Sequence, residues 1–189
     1  MKNIILIIIS GMLWISCGTS GKVSTTTPES VPEVSDSKLA KKEADVLIGV
    51  QTREAFTVAP YSNWFTSNYT NYKPKSDVIT QLTPLLKNTQ IKAFMGTWCS
   101  DSQRETPTFY KILDATDYDS DNLELVTVTR NKDTPEGLEK GLQIERVPTF
   151  IFYKNGKEVG RYVEYARKSL EEDMLAILSG EPYKHSYED

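Results

Sequence analysis

The hydrophobic residues of this chain fall into short runs from residue 45 onward, and these runs follow the periods of strands and helices in turn. Continuous apolar runs bounded by polar or turn residues are typical of buried strands. Runs of this kind, broken in places by a polar residue or a glycine, occupy residues 46–50, 91–95, 123–128, 149–153 and 158–163. The Asn155-Gly156 pair between the last two runs predicts a tight hairpin.

Other segments repeat apolar residues at intervals of three and four, which predicts amphipathic helices. These segments are residues 60–72, 76–86, 100–115 and 170–178. A further short helix over residues 134–141 is predicted from its end signals, with Pro135 suited to the first turn. Ser76-Asp77 and Thr134 are suited to capping helix N-termini, and Gly141 is suited to ending a helix. Helices alternating with strands, followed by a hairpin, predict an α/β domain with a mixed central sheet flanked by helices.

The predicted helix over residues 60–72 is unusually aromatic. One helical face would carry Trp64, Phe65, Asn68, Tyr69 and Tyr72. Two interpretations remain open, an aromatic binding surface and the core packing of an N-terminal extension, and the composition favours core packing.

The N-terminal residues are typical of a targeting segment. Residues 4–15 are mostly apolar, too short to span a bilayer but suited to the core of a secretory signal. Residues 13–18 end in Ser16-Cys17-Gly18 and resemble a bacterial lipobox. The resemblance implies a signal peptide over residues 1–16 and a lipid on Cys17; the alternative is an ordinary signal peptide with an incidental cysteine.

The next stretch lacks the apolar residues that folding requires. Residues 18–44 are rich in Ser, Thr, Pro, Glu and Lys and contain no aromatic residue. We therefore predict a lipid-anchored flexible tether over residues 17–44, with a reach of roughly 30 Å. An N-terminal extension follows over residues 45–89 and the main domain over residues 90–189. These features predict a location in the bacterial cell envelope, facing the periplasm, with the membrane as a partner through the lipid.

The counts of charged and metal-ligating residues limit the function. A net charge of −4 without a basic cluster argues against a nucleic-acid partner. The single histidine, His185, lies in a polar tail, which disfavours a Cys-His protease or a metal site, so we expect no cofactor and an inert surface histidine. Of the two cysteines, lipidation of Cys17 would leave Cys99 as the one available thiol. The alternative, a Cys17–Cys99 disulfide, is disfavoured because it would tie a residue next to the signal segment to the folded domain.

Residues 90–180, about half of the chain, resemble the thioredoxin family. The landmarks, in the family's order, are Trp98-Cys99, Pro107, Val147-Pro148-Thr149 and the hairpin over residues 152–157. The departures are Ser102, at the position of the family's second cysteine, and Ala93, at the position of its buried aspartate. Ser100-Asp101 also replaces the family's Gly-Pro.

The resemblance implies roles for the residues around Cys99. Cys99 would begin a helix whose N-terminus favours the nucleophilic thiolate. Ser102 would donate a hydrogen bond to that thiolate. Trp98 either shields one side of the sulfur or serves only in packing. A cis Pro148 would present the main chain of Val147 as an edge for an extended substrate.

Nearby charged residues leave alternatives open. Asp101 either disfavours the thiolate through its own charge or caps the helix and faces solvent. Arg104 and Glu105 could recognise a substrate anion, but we expect them on a solvated helix face.

Two functions follow from this site. The first is a membrane-tethered monothiol oxidoreductase that acts on protein or small-molecule thiols and disulfides through Cys99. Because Ser102 cannot form a disulfide, such an enzyme needs an external thiol reductant. The second is a non-catalytic peptide-binding or assembly lipoprotein that retains the fold without turnover.

Overall fold

A five-stranded mixed sheet organises the protein, whose computed structural model describes residues 46–188. The strands are β1 (Gly49–Gln51), β2 (Gln90–Met95), β3 (Leu123–Thr127), β4 (Thr149–Lys154) and β5 (Lys157–Val163). Their order is β1-β3-β2-β4-β5. β2 and β3 are parallel, and the other neighbouring pairs are antiparallel. This architecture confirms the predicted α/β class with a mixed sheet.

Four α-helices accompany the sheet in the described residues. They are α1 (Ser62–Asn71), α2 (Ser76–Leu86), α3 (Ser100–Ala115) and α4 (Leu170–Ser179). α1 packs against α3, and α2 packs against α4. The bounds of α3 are those predicted from the sequence, so the helix that would carry the site begins where expected.

Apolar side chains on both faces of the sheet are buried, as continuous apolar runs predict. On one face Phe109 of α3 stacks on Phe150 at 4.2 Å between ring centroids, and Phe150 stacks on Tyr162 at 5.4 Å. A smaller cluster on the other face includes Phe94 and Val147. The sheet is therefore covered on both sides.

The segment before β2 shares the larger core. Phe56 is fully buried and stacks on Phe65 of α1, which in turn stacks on Tyr69. Trp64 also packs against this cluster. These contacts confirm the interpretation of the aromatic residues as core packing.

The predicted helix over residues 134–141 is wrong, because this segment forms consecutive turns. Gly137 and Gly141 both adopt positive φ, at 71° and 78°, which interrupts helical geometry. The Thr134 hydroxyl does accept a hydrogen bond from the Leu138 amide, but the Glu139 carboxylate binds back to the Thr134 amide and hydroxyl. These local bonds close a loop instead of starting a helix.

Two other boundaries differ from prediction. The first strand begins at Gly49 and not at residue 46. The residue that caps α2 is Lys75 and not Ser76, since Lys75 has extended backbone and its amide donates to the buried Glu171 carboxylate at 3.2 Å. The side chain of a neighbouring helix thus fixes where α2 begins.

The predictions for the signal peptide, Cys17 and the tether concern residues that lie outside the described part of the chain. Within residues 46–188, no helix combines the length and apolar character needed to cross a membrane.

Candidate active site

Cys99 occupies the N-cap position of α3, directly after the loop that follows β2. Its amide donates to the Gly96 carbonyl, and its own carbonyl accepts from the Gln103 amide, both at 3.0 Å. The thiol is partly exposed and forms no disulfide within the described residues. An N-cap thiol lies at the positive end of the helix dipole, where a thiolate is favoured.

The Val147-Pro148 loop lies against this thiol. The peptide bond is cis, as predicted, and the Cys99 Sγ donates a hydrogen bond to the Val147 carbonyl at 3.2 Å. The Pro148 carbonyl accepts from the Glu164 amide at 2.7 Å, and the Thr149 hydroxyl donates to the Arg146 carbonyl. The loop is thus held from both sides beside the sulfur.

The Trp98 side chain is fixed by the loop around it. Its indole Nε1 donates to the Val128 carbonyl at 2.9 Å, just beyond the end of β3. A Cβ at Gly96 would lie 2.5 Å from the Trp98 Cε2 atom, so only glycine permits this ring position. The Arg130 guanidinium lies over the ring, with its Cζ 5.2 Å from the ring centroid.

Ser102 is fully buried in the first turn of α3. Its Oγ accepts a hydrogen bond from the Gly96 amide at 3.1 Å. This bond ties the helix to the loop before Cys99. The stabilisation of the Cys99 thiolate by Ser102 stays a prediction, because the contact described for this hydroxyl is the Gly96 amide.

Ala93, at the position of the family's buried aspartate, is fully buried on β2 within the larger apolar core. The structure therefore places a methyl group there and no carboxylate.

Pro107 connects the site to helix α1. A proline inside a helix lacks the amide that would bond the carbonyl four residues earlier, here that of Gln103. The Asn68 side chain donates to this carbonyl at 3.0 Å, and the Gln103 side chain donates to the Thr97 carbonyl at 2.7 Å. Asn68 and Gln103 were not predicted as part of the site, although the proline alone marks the unpaired Gln103 carbonyl.

Arg104 organises the charges on α3. It forms ion pairs with Asp101 and Glu105, each at 2.8 Å. Asp101 therefore neither caps the helix nor stands alone as a negative charge beside Cys99. The expectation of a solvated Glu105 is wrong, since Glu105 is only 8% exposed and its burial raises the pKa of its carboxyl.

His185 is not a free surface residue. Its Nδ1 accepts from the Tyr187 amide, its Nε2 lies 3.6 Å from Glu188, and its carbonyl accepts from Arg167. No cluster of three metal-ligating side chains occurs in residues 46–188.

Comparison with known proteins agrees with this geometry. The thioredoxin family model matches residues 80–176, just over half of the 189 residues. The chain belongs to the thioredoxin family. Chicken (Gallus gallus) thioredoxin is 26% identical over 85 residues, which are 45% of this chain and 75% of that protein.

Two solved structures share the fold of this thioredoxin family member. A Pseudomonas aeruginosa protein of unknown function matches with a TM-score of 0.53 and 18% identity, over 69% of this chain and 93% of that one. An HIV epitope-scaffold matches with a TM-score of 0.53 and 17% identity, over 76% of this chain and 98% of its own. Membership of this family indicates a function of the thiol oxidoreductase type.

Proposed function

We propose that this protein is a monothiol thiol–disulfide oxidoreductase whose nucleophile is Cys99. The observation that carries the proposal is the free Cys99 thiol at the N-terminus of α3, 3.2 Å from the Val147 carbonyl, with Ser102 where the family has its second cysteine. The helix end supports a thiolate, and the Val147-Pro148 loop offers main-chain groups beside it.

The reaction requires two exchanges. The Cys99 thiolate attacks one sulfur of a substrate disulfide, forms a mixed disulfide and releases the other sulfur as a thiolate. Because Ser102 has no sulfur, a second, external thiol must attack the mixed disulfide, which regenerates the Cys99 thiolate and leaves the substrate bonded to that external thiol. The Arg104–Asp101 ion pair reduces the repulsion that Asp101 would exert on the thiolate.

The first test is capture of glutathione disulfide by the full chain carrying Cys17→Ser, so that Cys99 is its one thiol. We expect a mixed disulfide, seen as one added glutathione by intact mass spectrometry, and faster alkylation than for free cysteine at neutral pH. Adding Cys99→Ser should abolish both. A Cys99 that alkylates no faster than free cysteine would overturn the assignment and favour a peptide-binding protein, which needs only the Val147-Pro148 edge.

Ser102→Cys in the same background sharpens this test. Residues three apart at a helix N-terminus lie close enough for two thiols to meet. The variant should release bound glutathione without an external thiol, whereas the parent should hold it. Equal release by the two proteins would contradict the role given to position 102.

The second part of the proposal is membrane attachment through Cys17, after removal of residues 1–16, with residues 17–44 as the tether. It is supported by the lipobox-like residues 13–18 and by the composition of residues 18–44. In a bacterium with a lipoprotein pathway, the wild type should fractionate with the cell envelope membranes and carry a lipid on Cys17. Cys17→Ser should prevent the lipid, and an unmodified Cys17 in the mature wild type would refute the anchor.

A further inference from the structure

Of three arginines near the Cys99 and Val147-Pro148 segments, two are paired with carboxylates and one is not. Arg104 is bound by Asp101 and Glu105, and Arg146, next to Val147, lies 3.4 Å from the Glu164 carboxylate. Arg130 is exposed and, among residues 46–188, has no carboxylate within ion-pair distance. Its one described contact is the ring of Trp98.

That contact places a positive charge over the side chain of the residue that precedes the nucleophile. Trp98 directly precedes Cys99, and its ring is held by the Val128 carbonyl and by close packing on Gly96. A guanidinium over an aromatic face is held there by cation–π attraction. Since the planar guanidinium retains its N–H donors at the edge, it can still bind a carboxylate.

We propose that Arg130 forms an anion subsite and that the substrates of Cys99 are disulfides carrying a carboxylate near the reactive sulfur. This inference rests on the proposed function, because it names the substrate class of the same site. An unpaired cation attracts an anion over about 10 Å at moderate salt, so Arg130 acts as the substrate approaches and docks. The exchange chemistry itself is unchanged, and Arg130 is a positioning residue.

The test compares two probe disulfides on the full chain carrying Cys17→Ser. Dithiobis(nitrobenzoate) carries carboxylates, and dithiodipyridine is neutral at neutral pH; both release a coloured thiol on reaction with Cys99. Arg130→Gln should slow the anionic probe by about threefold or more at low salt and leave the neutral probe unchanged. The difference should shrink as salt is added, and Arg130→Lys should keep most of the wild-type preference.

Lys157→Gln is the matched control. It removes the same charge from an exposed position at the hairpin end of β4, the end away from Pro148. It should change neither rate by more than about twofold, because electrostatic attraction weakens with distance and Lys157 lies at the opposite end of β4 from Pro148. Circular dichroism should show that all variants are folded.

Each outcome distinguishes this inference from the proposed function. If the wild type reacts with neither probe faster than free cysteine does, the nucleophile assignment fails. If Arg130→Gln slows both probes equally, Arg130 acts on the thiolate, and the anion subsite is refuted while the proposed function stands. If the wild type and Arg130→Gln react with the anionic probe at equal rates, the anion subsite is refuted as well. A second comparison identifies the source of the carboxylate. The wild type is reacted with glutathione disulfide and with a mixed disulfide of a peptide whose cysteine is flanked by Asp, and the faster reaction shows whether a small thiol or a peptide is the preferred substrate. Arg130→Gln must slow that faster reaction.

Discussion

Ser102, at the position of the family's second cysteine, has a structural role. Its hydroxyl is fully buried and accepts the Gly96 amide at 3.1 Å, which joins the first turn of α3 to the loop before Cys99. A buried amide without an acceptor loses the hydrogen bonds it would make to water. Loss of this hydroxyl therefore affects the fold as well as any contact with the sulfur.

We expect Ser102→Ala to lower the free energy of unfolding by about 1–3 kcal/mol, because the buried Gly96 amide is left without its partner. Urea denaturation would measure this change. Ser100→Ala is the matched control, since Ser100 is exposed in the same turn, and its effect should stay within about 0.5 kcal/mol. Equal stability of the two variants would show that the Ser102–Gly96 bond contributes nothing.

Glu105 is a buried carboxylate whose protonation is coupled to stability. Burial raises its pKa, and the Arg104 ion pair opposes that effect without cancelling it. Burial and the nearby Glu105 carboxylate also raise the pKa of the Tyr162 phenol. A carboxyl whose pKa is raised on folding binds protons more tightly in the folded state, so stability falls as pH rises from its ordinary pKa to the raised one.

Glu105→Gln should remove this dependence, since the amide stays neutral. Relative to wild type, the variant should gain stability as the pH rises through that interval, and the gain should disappear below it. Thermal unfolding followed from about pH 3 to pH 7 would measure the difference. Asp101→Asn is the control, because it alters the other ion-pair partner of Arg104; it should show no such gain in stability with rising pH. A Glu105→Gln variant that loses stability with rising pH as the wild type does would show that Glu105 is not the group responsible.

At the scale of elements, Asn68 of α1 supplies the hydrogen bond that Pro107 removes from α3. The proline leaves the Gln103 carbonyl without its helical donor, and the Asn68 amide supplies one at 3.0 Å. Asn68 also donates to the Trp64 carbonyl at 2.9 Å. An element outside the matched family region thus supports the helix that carries Cys99.

A double-mutant cycle tests this coupling. Asn68→Ala should lower the free energy of unfolding by about 0.5–1.5 kcal/mol, the usual net value of a hydrogen bond. In a Pro107→Ala background the loss should be smaller, because residue 107 then has its own amide to donate to Gln103. Equal losses in the two backgrounds, measured by chemical denaturation, would show that the Asn68–Gln103 bond does not compensate for the proline.

The elements that could be predicted from the sequence are those whose signals are local. Apolar runs predicted the four inner and hairpin strands, and α3 was predicted with the bounds it has in the structure, because capping and period agree there. The helix predicted over residues 134–141 is wrong because the sequence shows the capping residue but does not show that both glycines adopt positive φ. The Cys99 and Val147-Pro148 contact was predicted only through the family resemblance.

The parts of the site that could not be predicted join distant residues. Asn68 and Gln103 lie 35 positions apart, and the chain between Trp98 and the Val128 carbonyl spans 30. Periodicity predicts which face of a helix or strand is buried, but it does not predict which polar groups from distant parts of the chain will form hydrogen bonds with that element. The burial of Glu105 was missed for the same reason, because a single glutamate in a polar helix turn is normally solvated.

At the scale of the whole molecule, the C-terminal residues reach the site from the far end of the chain. We name residues 183–188 the C-terminal strap. The Ser186 hydroxyl donates to the Tyr165 carbonyl at 2.7 Å, and the Tyr187 hydroxyl donates to the Glu164 carboxylate. The Arg146 guanidinium lies 3.7 Å from the centre of the Tyr187 ring. Because Arg146 directly precedes Val147, the strap restrains the loop whose carbonyl accepts the Cys99 thiol.

Tyr187→Ala should release this restraint. The loss of a partly exposed cation–π contact should lower the free energy of unfolding by only about 0.5–1 kcal/mol. The local effect should be clearer: hydrogen exchange of the amides over residues 146–149 should become faster, because this loop opens without global unfolding. Tyr187→Phe keeps the ring over Arg146 and loses only the bond to Glu164, so its exchange should resemble wild type more closely. If Tyr187→Ala leaves exchange at residues 146–149 unchanged while the protein remains folded, the strap does not hold the loop. The bond from the Glu164 amide to the Pro148 carbonyl and the pairing of β4 with β5 then hold it without the strap.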